Sequence, residues 1–399
     1  MAGIESRWRH GVTRRKALRG LAGFLAGSPL LRAQQDPFRD HSRIPAMEEL
    51  ADVFDFEAVA YEKLPRQAYD YTGHGTESEF SLRRNREAFD WVKLVPRAVA
   101  DVSAIDPSTE VLGVKMPYPI MIAPTAAHAQ LHPDGEAAMY QAATAASNTL
   151  FLMSHNASLP FDKIAAASTG PLWFQLYARE RLEDNLPFLD TVQTAGYRAV
   201  AITIDQNASV YERQQHNRHF SAPGGPGGRG RRRGRPEPAN PYRVIPGRLW
   251  YNWAFVEKLR PHLKVPLLAK GVMTAADAKV AVETGFEGII VSNHGGRAMD
   301  QGTSTLEVLP EIVDAVGARV PVLIDSGFRR GTDILKALAL GAKAVGIGRA
   351  VRWGLGSYGA PGAQRVLEIL QGELVLAMAH TGRPTLKSID RTLVRTDFR

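Results

Sequence analysis

Eight short apolar runs between residues 119 and 347 each end in a polar or small residue, and this arrangement constrains the fold more than any other feature of the chain. Pro119-Ile120-Met121-Ile122 leads into Ala123-Pro124-Thr125-Ala126, and Leu150-Phe151-Leu152-Met153 leads into Ser154. Leu172-Trp173-Phe174 meets Gln175 and Tyr177, and Ala199-Val200-Ala201-Ile202 meets Thr203 and Asp205. Val265-Pro266-Leu267-Leu268-Ala269 meets Lys270, and Gly288-Ile289-Ile290-Val291 meets Ser292-Asn293-His294-Gly295-Gly296-Arg297. Val320-Pro321-Val322-Leu323-Ile324 ends at Asp325, and Ala344-Val345-Gly346-Ile347 at Gly348-Arg349. Such runs suit strands buried on both faces. Chemistry confined to their C-terminal ends predicts an α/β fold, a (β/α)8 TIM barrel with its active site at that face.

The segments between the runs read as helices. His132-Pro133-Asp134-Gly135-Glu136 and Thr274-Ala275-Ala276-Asp277 look like helix starts, with acids where the helix dipole favours them. Gly196, Gly285 and Gly341 mark helix ends just before strands. A helical extension over about 45–107 precedes the barrel, and a last helix spans Gly362 to His380. Between the fourth and fifth runs a long loop, about 221–248, is rich in Gly and Pro and carries Arg229, Arg231, Arg232, Arg233 and Arg235. It leaves the catalytic face and reads as a mobile insertion or a lid.

The net charge of +8 suggests a polyanion partner until its location is considered. Residues 1–33 hold seven Lys or Arg against Glu5, so +6 of the charge lies there and +2 remains. The arginine loop accounts for the remainder, which argues against nucleic-acid binding. Thr13-Arg14-Arg15-Lys16-Ala17-Leu18, followed by a modest apolar stretch to Leu31, resembles a twin-arginine export signal. The expectation is a leader over 1–33, a barrel domain over 34–399 and a periplasmic or exported protein. A cytoplasmic chain with a basic arm is the other reading. No segment is long and apolar enough to predict an integral membrane helix. The absence of cysteine rules out disulfides and thiolate chemistry, and no metal site is expected.

His294 and Arg297 follow the sixth run, separated by two glycines that let the backbone turn tightly. Histidine serves as a base near neutral pH, and arginine clamps a carboxylate through paired hydrogen bonds. Asp205, after the fourth run, is the natural carboxylate to orient that histidine. Asp325-Ser326-Gly327-Phe328-Arg329-Arg330-Gly331 and Gly348-Arg349 stand where barrels of this class bind phosphate, so a phosphorylated ligand such as FMN is expected. Lys270 is placed deep in the cavity, where it would stabilise negative charge on a reduced flavin.

With these residues in place, the run from about Val59 to Ile389 resembles the FMN-dependent 2-hydroxy acid oxidases and dehydrogenases. The most specific match is Ser292-Asn293-His294-Gly295-Gly296-Arg297-Ala298-Met299-Asp300, supported by Phe174-Gln175-Leu176-Tyr177 and Lys270-Gly271-Val272. The resemblance implies His294 as catalytic base, Asp205 as its partner, Arg297 and Tyr71 as carboxylate ligands, and Tyr177 near the substrate hydroxyl. It implies FMN contacts from Thr125, Ala126, Ser154, Gln175, Thr203, Lys270, Ser292, Asp325, Gly327, Arg329, Gly348 and Arg349. It also implies a homotetramer, with electrons passing to oxygen, a quinone or a cytochrome. Asn156 replaces an aromatic wall residue of glycolate oxidase, and a second active-site arginine has no clean counterpart, with Tyr211 or Glu212 in its place and Arg213 nearby. Both departures point away from simple glycolate or lactate. Two other readings stay open on the sequence: an isomerase of the type 2 isopentenyl diphosphate kind, and a catalytically silent flavin-binding protein.

Overall fold

The computed structural model describes residues 43–205 and 252–398. The leader at 1–33, the arginine-rich loop at 221–248 and Tyr211, Glu212 and Arg213 lie outside the described residues. The chain divides into Met1–Ala46 and Met47–Arg399, and the fold is that of the second unit.

Three short strands, β1 (Val92–Leu94), β2 (Thr109–Val111) and β3 (Val114–Met116), precede the barrel. Each of the eight apolar runs then supplies one strand: β4 (Ile120–Ile122), β5 (Leu150–Ser154), β6 (Leu172–Leu176), β7 (Val200–Thr203), β8 (Leu267–Val272), β9 (Gly288–Val291), β10 (Val322–Ile324) and β11 (Ala344–Ile347). They close in the order β10-β11-β4-β5-β6-β7-β8-β9, with neighbours parallel. The expected (β/α)8 barrel is the fold.

Period-two alternation sorts the strand residues into two groups. Phe151, Phe174, Val200, Ile202, Ile289 and Ile324 pack with the surrounding helices. Met121, Leu150, Leu152, Trp173, Ala201, Leu268, Ile290 and Leu323 form a separate interior cluster. Val111, Val114 and Met116 join that interior cluster, so the β2–β3 hairpin plugs the N-terminal end of the barrel. Burying a large apolar side chain contributes roughly 1.5–3 kcal/mol. The lower barrel is therefore a stabilising core and leaves the upper layers open to polar residues.

The extension is helical only in its first part. Helices α1 (Val53–Lys63), α2 (Arg66–Gly73) and α3 (Phe80–Asp90) are followed by β1, which pairs antiparallel with β12 (Val394–Thr396) near the C-terminus. The prediction of a helical segment to about residue 107 is corrected by that pairing, which periodicity could not reveal because the partner lies some three hundred residues away. Around the barrel run α4 (Gly135–Ala145), α5 (Phe161–Ala165), α6 (Leu186–Thr194), α7 (Trp253–Leu259), α8 (Ala275–Glu283), α9 (Thr305–Val316), α10 (Gly331–Ala339) and α11 (Arg349–His380). Thr274 caps α8 as expected, its hydroxyl accepting from the Asp277 N–H at 3.0 Å. Helix α11 begins at Arg349 and is broken where Tyr358 and Gly359 leave helical geometry, just before Pro361, and the expected stretch from Gly362 to His380 is its second part. Among the described residues no helix is long and apolar enough to cross a membrane.

Helix α3 docks on the turn after β9. The side-chain amides of Asn85 and Asn293 exchange two hydrogen bonds of 2.8 Å. Asp300 accepts from the Ser78 N–H at 2.9 Å and the Ser81 N–H at 3.2 Å, capping the start of α3. Gly296, at φ +75°, lies so close to Leu82 that an added Cβ would stand 2.6 Å from its backbone. The extension thus presses directly on the segment that carries His294 and Arg297.

Candidate active site

The inward-facing residues change character toward the C-terminal ends of the strands. Leu152 is followed on the same face by Ser154, Trp173 by Gln175 and Tyr177, and Ala201 by Thr203 and Asp205. Leu268 is likewise followed by Lys270, Ile290 by Ser292 and His294, and Leu323 by Asp325. These polar groups bond to one another across the strands. Ser154 Oγ donates to Gln175 Oε1 at 3.2 Å, and Gln175 Nε2 donates to Thr203 Oγ1 at 2.8 Å. Lys270 Nζ donates to Ser292 Oγ at 2.9 Å and lies 3.6 Å from Asp325. Lys270 and Asp325 are both buried, and a buried ion pair seldom adds net stability. Its presence in the upper barrel is an argument for chemistry there.

His294 stands at the centre of this face. Its Nδ1 lies 3.1 Å from Asp205 Oδ1, and its Nε2 lies 3.1 Å from the Tyr177 hydroxyl. A carboxylate only accepts, so Nδ1 carries the ring proton and Nε2 is the basic nitrogen, to which Tyr177 donates. Burial works to raise the Asp205 pKa, but the charge and hydrogen bond of His294 and the charge of Lys270 outweigh it and hold the carboxyl below its usual range. Gly271, at φ +105°, makes this approach possible, because a Cβ there would stand 2.6 Å from that of Asp205. His294 itself has φ +61°, an uncommon conformation for a side-chain-bearing residue, and its backbone N–H donates to Ser292 Oγ at 3.2 Å.

A concentration of arginine lies beside the histidine. Arg297 donates to the Tyr71 carbonyl at 2.6 Å and the His74 carbonyl at 3.1 Å, with its guanidinium 4.7 Å from the Tyr71 ring. Arg349 donates to the Thr72 carbonyl at 2.6 Å and to the carbonyls of His74 and Gly295 at 3.3 Å. Arg329 donates from its side chain to the Phe328 carbonyl at 2.8 Å. Among the described residues no carboxylate forms a direct ion pair with Arg329 or Arg349, although the charge of Glu57 acts on both and that of Asp333 on Arg329. Burial, with Arg329 and Arg297 nearby, pushes the Arg349 pKa down to about 9, and burial pushes Arg329 down to about 10. Both stay charged at neutral pH, so the pocket holds positive charge that calls for an anion.

The predicted phosphate cradle is corrected in one respect. The N-terminus of α10 is already filled: the Arg329 and Arg330 N–H groups donate to Asp333 Oδ2 at 2.9 and 3.0 Å, and the Gly331 N–H donates to Glu373 at 2.7 Å. The start of α11 at Gly348-Arg349 has no side-chain cap. Anion-binding capacity therefore rests on the α11 N-terminus and the Arg329 and Arg349 guanidiniums. Gly327 has a packing reason for being glycine, since its φ is +89° and an added Cβ would collide with the Asn85 carbonyl. Thr125 Oγ1 lies 2.6 Å from His128 Nε2, and the Asn156 carbonyl accepts from the Ala127 N–H at 3.2 Å. Asn156 itself is exposed after β5.

Sequence reasoning missed Arg352, which is buried one turn into α11 and donates to the Ala126 carbonyl. The available signal was a lone charge in the apolar stretch Ala350-Val351-Arg352-Trp353. It also missed Ser326, whose hydroxyl receives the Gly295 N–H at 3.0 Å and donates to Asp325 at 2.8 Å.

An acid–base pair beside an anion pocket, at the C-terminal face of a barrel, defines an enzyme that works with a phosphorylated ligand. Residues 60–396 match the FMN-dependent dehydrogenase family, and the chain belongs to it. It is 38% identical over 356 residues to a peroxisomal (S)-2-hydroxyacid oxidase of Arabidopsis thaliana, covering 88% of this chain and 98% of that one. Glycolate oxidase of Spinacia oleracea is 38% identical over 360 residues, with 88% and 97% covered. A soluble mutant of the membrane-associated (S)-mandelate dehydrogenase from Pseudomonas putida superposes with a TM-score of 0.79 at 33% identity, covering 88% of this chain and all of that one. FMN is the cofactor of the family, and the uncapped α11 start with the Arg329 and Arg349 guanidiniums fits its phosphate.

Gly271→Ala should force Asp205 away from His294 and cost roughly 1–3 kcal/mol of backbone strain. A misplacement of that size is expected to slow turnover about a hundredfold. Steady-state kinetics and thermal unfolding of the variant test this, and undiminished turnover would show that the close approach is unimportant.

Proposed function

We propose that this protein oxidises a 2-hydroxy acid to the 2-oxo acid, with FMN taking the electrons and oxygen or a membrane or periplasmic acceptor receiving them. The observation that carries this reading is the Tyr177–His294–Asp205 array standing beside Arg297 and Tyr71. Its relatives named as 2-hydroxyacid oxidase, glycolate oxidase and mandelate dehydrogenase support the same substrate class.

In this mechanism Arg297 and the Tyr71 phenol hold the substrate carboxylate, fixing the carbinol carbon near His294. His294 Nε2 takes a proton from the CH–OH unit, and ionised Asp205 stabilises the resulting imidazolium through Nδ1–H. Tyr177, already bonded to Nε2, moves its hydroxyl onto the substrate oxygen. FMN, when bound, supplies the two-electron acceptor. Arg329, Arg349 and the N-terminus of α11 would hold its phosphate, with Thr125, Ala126, Ser154, Gln175, Thr203, Lys270 and Ser292 toward the rest of it. Lys270 would offset negative charge on the reduced cofactor.

The decisive experiment mixes the purified flavoprotein anaerobically with a panel of 2-hydroxy acids and follows bleaching of the flavin. His294→Ala should keep its FMN and reduce at least about a hundredfold more slowly, the scale of a positioned base. No bleaching by any acid in wild type would favour an isomerase or a silent flavoprotein.

Exposed Asn156, a polar amide on the rim, supports a larger or more polar acid than glycolate. In wild type the kcat/KM ratio of such an acid to glycolate should exceed that of Asn156→Trp by roughly tenfold to two-hundredfold. An unmoved ratio would take the specificity role away from this position.

The twin-arginine sequence at 13–18 supports export of the folded, loaded protein. Expressed in a bacterium with a functional twin-arginine pathway, the full chain should reach the periplasm, and Arg14→Lys/Arg15→Lys should hold it in the cytoplasm. An unchanged distribution would leave 1–33 as a basic arm.

A further inference from the structure

Arg352 is 3% exposed, and its guanidinium joins two segments that the chemistry needs to keep in register. Its Nε and Nη2 both donate to Thr72 Oγ1, at 3.1 and 3.0 Å, and Thr72 Oγ1 in turn donates to the Ala68 carbonyl at 3.0 Å. Its Nη1 donates to the Ala126 carbonyl, in the turn after β4. The same guanidinium lies 5.4 Å from the Tyr71 ring, which also has Arg297 at 4.7 Å. Among the described residues no carboxylate forms an ion pair with Arg352. Its hydrogen bonds go to neutral groups, with the buried Glu136 carboxylate acting on it only beyond ion-pair distance, so burying the charge is costly and a well-packed apolar side chain would serve stability at least as well. What an apolar side chain would lose is the fork, which fixes three groups at once.

We propose that Arg352 is a positioning residue that sets Tyr71 at the carboxylate-binding distance from the cofactor-side turn at Ala126. The proposal rests on the 2-hydroxy acid reading for its substrate, but its contacts are those of the protein alone. Tyr71 reaches the site from α2, outside the barrel; Arg297 and Arg349 tie the end of that helix to the turns after β9 and β11, and Arg352 ties it to the turn after β4. The fork does so by gripping Thr72 from α11 on one side and Ala126 on the other. The positive charge also adds to that of Arg297 at the ring they share, which favours the bound carboxylate.

The test compares wild type with Arg352→Met, Arg352→Lys and Thr72→Val, each isolated with FMN bound. Oxalate, a carboxylate that the flavin cannot oxidise, is titrated against the flavin absorbance, and KM and kcat are measured with the best 2-hydroxy acid. Arg352→Met is expected to weaken oxalate and raise KM by about tenfold or more, the weight of a charge-assisted contact. The effect on kcat should be smaller, because His294 and Asp205 are untouched. Arg352→Lys keeps the charge without the fork and should recover part of the loss. Thr72→Val, nearly isosteric, should reproduce part of it, and adding it to Arg352→Met should cost little more, since both break one contact. Thr72→Val keeps the test decisive if Arg352→Met fails to fold. Unchanged oxalate binding in Arg352→Met, or equal losses in Lys and Met with kcat and KM falling together, would overturn the proposal. Failure of wild type to reduce its flavin would count against the hydroxy acid reading instead, and the oxalate comparison would still decide the role of Arg352.

Discussion

The last turn of α2 and the arginines gathered on it hold the site together. Arg297 and Arg349 donate to the carbonyls of Tyr71, Thr72 and His74, and Arg352 to the Thr72 hydroxyl. A helix C-terminus carries partial negative charge, worth about 0.3–1 kcal/mol to each nearby cation and up to ~2 when partly buried. Removing a guanidinium from water costs several kcal/mol. The helix end therefore offsets only part of the cost, and the remainder is a positive field available to a phosphate and a carboxylate. The same contacts hold Tyr71 beside the arginines, although they come from different elements: Tyr71 from α2, Arg349 and Arg352 from α11, and Arg297 from the turn after β9.

The barrel supplies the complementary half. Its interior is apolar where the β2–β3 hairpin closes it and polar where the strands end, along a single alternating set of positions. Stability and chemistry are separated by depth. Leu152, Trp173 and Leu268 build core, while Ser154, Gln175 and Lys270, two residues further on, build the site. Because the strands are parallel and in register, residues distant in sequence meet without any loop having to carry them: Ser154 stands opposite Gln175, and Thr203 opposite Lys270. The His294–Asp205 pair is then tuned by burial, by its own hydrogen bond and by Lys270, with glycine at position 271 leaving the room that Asp205 needs.

The barrel and most of its site were legible in the sequence because they obey a local rule. Each strand's pattern is written in three to five consecutive residues, and the polar residue follows directly. Gly196, Gly285 and Gly341 marked helix ends for the same reason, and all three have the positive φ this requires. Other features were invisible because they depend on partners far away in the chain. β1 reads as a continuation of the extension until β12 pairs with it, and the N-terminus of α10 reads as an anion site until Asp333 and Glu373 occupy its N–H groups.

The sequence by itself determined the architecture, the juxtaposition of His294 and Asp205, and the family's cofactor class. Alternation, strand-end chemistry and the Ser292–Asp300 motif are properties of short windows, and short windows suffice for a fold made by repeating one unit. Only the tertiary structure decided how the charges are shared. It showed that Nδ1 of His294 faces Asp205 and Nε2 faces Tyr177, which fixes the basic nitrogen. It narrowed the anion cradle to the start of α11 with the Arg329 and Arg349 guanidiniums, and revealed Arg352 behind Tyr71. Hydrogen-bond donors are finite, and which acceptor each one serves depends on distances between segments that no local pattern encodes.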